Sequence, residues 1–116
     1  MTADELIEQI KFNEMGLVMV VTQDVTDNAV LMAAWANAEA IRNTFMSGHA
    51  SYWSRSRKTL WVKGETSGHF QDVEEILYDC DVDTILYRVR QRGPACHTGE
   101  RTCFYRSAYR RREGNE

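Results

Sequence analysis

The sequence predicts an α+β fold, mostly β: a small mixed sheet or pseudobarrel carrying short helices. Three observations point there. Apolar residues alternate with polar ones along several short segments, the two-residue period of a half-buried strand. Only two segments combine helical spacing with a capping residue. The 116 residues hold one proline and no repeat or low-complexity linker, so one domain over 1–116 is expected, with a charged tail at 107–116 that frays at its end.

Each element follows from its residues. Thr2 and Glu5 have the spacing of a capping box, with Leu6, Ile7 and Ile10 on one face of a short first helix. "GLVMVVTQDVTDNAVLMAAW" reads as two strands around a polar turn near Thr26 to Asn28. Asn37 caps a helix through "AEAIRNTFM", which Gly48 closes. "ASYWSRSRKTLWVKG" is a hairpin with a basic turn at Arg55 to Lys58, and Trp53 and Trp61 are assigned to core or cross-strand packing. "HFQDVEEILYDC" fits two patterns: Val73, Ile76 and Leu77 suit a helix, whereas Phe70, Ile76, Tyr78 and Cys80 suit alternation. "TILYRVRQ" is a clear strand with Ile85, Tyr87 and Val89 on one face, and "GPACHTGERTCFYR" is turn-rich.

Composition narrows the function. An apolar fraction of 43% is that of a globular chain, and a formal charge of -3 argues against a dedicated nucleic-acid binder. The longest apolar run, near "GLVMVV", is too short to span a bilayer, so no membrane partner is expected. "MTADELIEQIKFNE" lacks the basic-then-apolar order of a secretory signal, and three cysteines is an odd number. A cytoplasmic protein with reduced thiols is expected.

Cys80, Cys96 and Cys103 form C-x15-C-x6-C. Three thiolates leave one corner of a zinc tetrahedron for water, the arrangement of catalytic sites, and zinc lowers the pKa of such a water from about 15.7 to roughly 7. His97 and His69 are alternatives that would instead close the site, and three buried structural thiols are the plainest reading. His97 follows Cys96 in a glycine-flanked loop, where an imidazole can take and give protons near neutral pH.

The stretch "DCDVD" places Asp79, Asp81 and Asp83 around Cys80. Clustered carboxylate oxygens suit a hard cation such as Mg²⁺, whether the segment is extended or bent into a tight loop. An EF-hand loop is excluded, because its sixth position is Thr84 instead of glycine and its twelfth is Arg90 instead of glutamate. A solvated acidic turn is the alternative. Arg55, Arg57, Lys58 and Lys63 then offer forks and charges for phosphate, and "GETSG" adds backbone N–H groups with the hydroxyls of Thr66 and Ser67. The basic "YRRR" of the tail reads as solvated.

"YWSRSRKTLWVKGETSGHFQ", "DCDVD" and "GPACHTGERTCF", in this order, with "VLMAAWANAEAIRNTFMSGHA" upstream, closely resemble phosphoribosyl-AMP cyclohydrolases of histidine biosynthesis. The resemblance spans about residues 15–106 and suggests the monofunctional form, without a fused pyrophosphohydrolase domain. It implies a homodimer whose zinc site draws ligands from both subunits. It also implies Cys80, Cys96 and Cys103 as Zn²⁺ ligands and Asp79, Asp81 and Asp83 as Mg²⁺ ligands. The reaction implied is hydrolytic opening of the adenine ring of phosphoribosyl-AMP by a zinc-activated water, giving the formimino-linked aminoimidazole carboxamide ribonucleotide. His97, with His69 as second candidate, is expected to carry the proton, and Arg55, Arg57 and Lys63 to contact phosphate. The rival expectations are a small zinc-stabilised RNA-binding module and a zinc hydrolase of another aminated nucleotide.

Overall fold

The computed structural model describes residues 1–112; the end of the tail, where fraying is expected, lies outside them at 113–116. The first helix, α1 (Ala3–Gln9), carries the anticipated capping box: Glu5 N–H donates to Thr2 Oγ1 at 3.1 Å, and Thr2 N–H donates to Glu5 Oε1 at 2.7 Å. Its Leu6 is buried. The second, α2 (Ala38–Ser47), starts at Asn37, whose side chain accepts from Ala40 N–H, and stops at Gly48 in the left-handed region. Ala40, Ile41 and Thr44 are its buried stripe.

Six strands follow the alternation. Val18–Asp24 (β1) buries every second residue, Val18, Val20, Thr22 and Asp24, and pairs antiparallel with β2 (Val30–Ala36). Ser51–Ser54 (β3) and Thr59–Val62 (β4) form the basic-turned hairpin as a separate two-stranded sheet. Tyr52 and Trp61 face each other across it at 4.9 Å between ring centroids, so the tryptophan packs as expected.

The ambiguous segment is a strand, β5 (Gln71–Tyr78), paired antiparallel with β6 (Thr84–Gln91). Its register shifts between Val73 and Glu75, leaving an extra residue. A bulge of this kind changes the inward spacing from two to three residues, and three is also a helical spacing. That is why both patterns fitted.

The large sheet runs β2-β1-β6-β5, mixed because β1 and β6 are parallel. Its inner face, with Ile85, Tyr87 and Val89 fully buried, joins Val18, Val20, Leu31, Ile41 and Tyr52 in one core. The pseudobarrel expectation therefore takes the form of a four-stranded ladder with a two-stranded hairpin packed beside it. No helix among the described residues is long and apolar enough to cross a membrane.

Candidate active site

The hairpin, the "GETSG" loop and the loop after β6 enclose a cleft of about 740 Å³. Its lining includes Arg57, Lys63, Thr66, Ser67, His69, Cys96 and His97, seven residues drawn from two separate stretches of sequence. Trp61 and Leu60 supply an apolar wall, and Pro94 lies beside the histidines. Arg55 does not line it; its guanidinium lies over the Trp35 ring, 5.4 Å from the centroid.

Backbone geometry shapes one rim of the cleft. Gly64 has φ +90°, and a Cβ there would sit 2.4 Å from the carbonyl carbon of His69 and from Phe70 N. Only glycine lets the two ends of the "GETSG" loop approach this closely. His69 itself rests on Gly93, where a Cβ would come within 2.6 Å of the imidazole Cδ2. His69 is half-buried and His97 exposed.

Cys96 and Cys103 are close enough for each thiol to influence the ionisation of the other. The Thr98 hydroxyl donates to Cys96 Sγ at 3.0 Å and, with the Thr98 backbone, holds that thiol below its ordinary pKa against partial desolvation. Desolvation and the Cys96 contact push Cys103 up, while the Lys63 ammonium favours the thiolate at both. The loop is tied down by Ala95 N–H to Arg101 O (3.0 Å) and by Cys103 N–H to Leu31 O of β2 (2.8 Å). Arg101 reaches Asp27 at 2.8 Å and the buried Asp24 at 3.6 Å.

The structure keeps Cys80 elsewhere. It is exposed in the turn before β6, whereas Cys96 follows β6, a strand of eight residues that spans about 26 Å. Cys103 anchors to β2, and β2 and β5 are opposite edges of the sheet. The chain therefore brings together two of its three thiols, and the three are not buried as a structural cluster: Cys80 and Cys103 are exposed and Cys96 half-buried.

Around Cys80 the chain bends, and oxygens of Asp79, Asp81 and Asp83 all lie within 4.8 Å of one another. Asp79 Oδ1 accepts from Asp83 N–H (3.0 Å) and Thr84 N–H (3.2 Å), which closes the turn. Desolvation opposes ionisation of Asp79, but hydrogen bonds from Asp83 and Thr84 outweigh it and lower its pKa. Its contacts with Asp81 and Asp79 raise that of Asp83. Val82 sits at φ +56°, an outlier for a β-branched residue, while its carbonyl accepts from Lys11 N–H at 2.8 Å. Nothing in the sequence marks that strain.

Asp24, Arg101, Gln71 and Gln91 carry much of the local organisation and were not singled out by sequence. The one signal was a polar residue at an inward strand position, which Asp24 and Gln71 both occupy.

The sequence that places imidazoles, thiols and cations around this cleft has matches among known proteins. The model of the phosphoribosyl-AMP cyclohydrolase family matches residues 32–105. The chain is 58% identical over 108 residues to the phosphoribosyl-AMP cyclohydrolase of Archaeoglobus fulgidus, covering 93% of this chain and 96% of that one. To the enzyme of the same name from Roseobacter denitrificans it is 52% identical over 109 residues, 94% of this chain and 83% of the relative. It is also 54% identical over 109 residues, 93% of its length, to the histidine biosynthesis bifunctional protein HisIE of Parasynechococcus marenigrum, of which it spans 49%. These matches define the class as a hydrolase. The chain belongs to the phosphoribosyl-AMP cyclohydrolase family.

Proposed function

We propose that this protein opens the adenine ring of phosphoribosyl-AMP by hydrolysis, in histidine biosynthesis. The observation that carries the reading is the shared cleft: phosphate-binding candidates Arg57, Lys63, Thr66 and Ser67 line the same space as His69, His97 and Cys96. Its volume of about 740 Å³ falls in the range of small-molecule sites. Arg55, held over Trp35, is better placed to stiffen the hairpin than to reach substrate.

The donor sets fit two ions of different hardness. Cys96 and Cys103 lie near enough to influence each other's ionisation, and Cys96 is biased toward thiolate, as a Zn²⁺ ligand must be. Asp79, Asp81 and Asp83 present only oxygens, the chemistry Mg²⁺ selects. Zinc held by Cys80, Cys96 and Cys103 would supply Lewis acidity and a water of lowered pKa. Because β6 separates Cys80 from the other thiols, completing this ligand set requires Cys80 of a second copy, so the working unit is a homodimer with shared zinc sites.

The chain's own residues do the rest. Cations at the hairpin and hydroxyls of the following loop hold phosphate, and Trp61 offers an apolar wall for the purine. Water oxygen adds to ring carbon six, the bond from that carbon to ring nitrogen one breaks, and the nitrogen takes a proton. His97 manages that transfer, with His69 across the cleft as the second imidazole in reach. The direct test is to incubate the purified protein with phosphoribosyl-AMP, Zn²⁺ and Mg²⁺ and follow the ultraviolet spectrum. Loss of the purine absorption is expected; an unchanged spectrum with both metals present would overturn the reading.

A further inference from the structure

The ladder places Gln71, the first residue of β5, opposite Gln91, the last of β6. Gln71 is fully buried, and Gln91 is half-buried. Tyr52 O–H donates to Gln71 Oε1 at 2.6 Å, and with that proton committed the Thr22 hydroxyl, 2.7 Å away, donates to the tyrosine oxygen. Gln71 Nε2 donates to Gln91 Oε1 at 2.9 Å, and Gln91 Nε2 donates to the carbonyls of His69 (3.3 Å) and Arg92 (3.2 Å).

The relay has one direction. Flipping the Gln91 amide would set its nitrogen against the Gln71 nitrogen and its oxygen against two carbonyl oxygens, so the network fixes the assignment. Stability alone does not call for such a chain, since paired buried polar groups contribute little more than apolar ones of the same shape. What the chain delivers is orientation, and it ends on the backbone of His69.

Other contacts converge on the same peptide. Arg92 N–H donates to Phe70 O at 3.0 Å, Gly93 supports the imidazole face, and Gly64 presses on the peptide between His69 and Phe70. We infer that Gln91 is a positioning residue, oriented by Gln71, Tyr52 and Thr22, that sets the His69 imidazole against the cleft through the His69 carbonyl. The functional part of this inference rests on the cleft being the active site; the geometric part does not.

The test uses Gln91→Glu, which replaces the donor by an acceptor of the same shape, and Gln91→Met, which keeps the volume without a donor. Should either fail to fold, the other carries the experiment. The His69 ring signals are read by NMR, assigned by their loss in His69→Ala, alongside kinetics with phosphoribosyl-AMP. The expected result is a shifted His69 ring with His97 signals in place, and kcat lower by about tenfold. KM should stay within about twofold. In the His69→Ala background Gln91→Met should cause no further loss of kcat. An unmoved His69 ring overturns the inference whatever the activity. Equal losses of kcat with and without the His69 ring reduce Gln91 to a structural part. If His69→Ala itself keeps full turnover, the role of His69 in the reaction fails, and the ring signal still decides the positioning.

Discussion

The two ends of β6 hold candidate metal ligands in opposite ways. Before the strand, Asp79, Asp81 and Asp83 are gathered by a turn whose hydrogen bonds mostly link residues no more than five apart. After it, Cys96 and Cys103 share a loop closed by short-range bonds such as Cys96 N–H to Glu100 O, and distant elements fix it in place: Leu31 of β2, Lys63 beyond β4, and Asp24 through Arg101. The first cluster is exposed and locally encoded. The second takes its place in the molecule from the assembled sheet, which couples its position to folding and puts it beside the cleft.

The largest effect should come from joining the two ends. Cys80→Ala and Cys96→Ala are each expected to cut turnover on the order of 10³-fold, the scale of losing the main electrostatic stabiliser of a reaction. If Cys80 acts across a dimer, unfolding and refolding the two inactive variants together yields mixed dimers with one intact site. Activity should then return to about a quarter of the wild-type value, the share expected for random pairing with one working site in half the dimers. No recovery after mixing would mean that the thiols do not meet across subunits.

Next in size are the cleft histidines. His97→Ala should lower kcat by about 10²–10⁴-fold while bound zinc stays near normal, because general acid–base catalysis supplies that much. His69→Ala should cost less, since His97 sits in the loop directly after the candidate ligand Cys96. Equal zinc content with unchanged kcat in His97→Ala would remove its proton role.

The same contrast explains what was legible in the sequence. The capping box at Thr2, the Asn37 and Gly48 helix ends, the turn near Thr26 to Asn28 and the β6 alternation are local patterns, and each appears as read. The acidic triplet is local too, but the sequence allowed an extended or a bent segment, and it is the structure that bends it. β5 was readable only in part, because its bulge mixes two- and three-residue spacing. Arg55, expected from the sequence to contact phosphate, lies in the hairpin turn over Trp35 of β2, a partner twenty positions away that no spacing rule announces. Gln71 with Tyr52, and Arg101 with Asp24, are pairings of a buried polar group with a distant partner, and no spacing rule announces them.

A smaller effect sharpens the acidic end. With Asp83 raised by its contacts with Asp81 and Asp79, the metal-free turn keeps a proton at a pH where an isolated aspartate would not. Mg²⁺ held there would need the deprotonated oxygens, so affinity should fall as pH drops through the raised Asp83 range, and binding should release protons. Titration calorimetry in buffers of different ionisation enthalpy reads that release directly. Asp81→Asn should remove most of it and weaken binding by about tenfold. Binding independent of pH down to the ordinary carboxylate range would sink this assignment.

The smallest effect belongs to the thiol end and is one of stability. Asp24 is buried, and although desolvation works against its charge, the Thr26 hydroxyl and backbone, Gln91 N–H and Arg101 together lower its pKa. The folded value therefore lies below the unfolded one of about 3.9, so the unfolded chain takes up the proton first as the solution is acidified. The stabilisation is fully present above that pH and is lost as pH falls through the folded value. Asp24→Asn should cost about 2 kcal/mol at pH 7, the scale of hydrogen bonds to a charged group. Urea unfolding should show the gap between wild type and variant closing on the acid limb. Zinc affinity at neutral pH should drop with it, because Arg101 would lose one of the two carboxylates that hold the cysteine loop to the β1–β2 turn. A stability gap that stays constant from neutral to acid pH would show that the Asp24 charge does not anchor this end of the molecule.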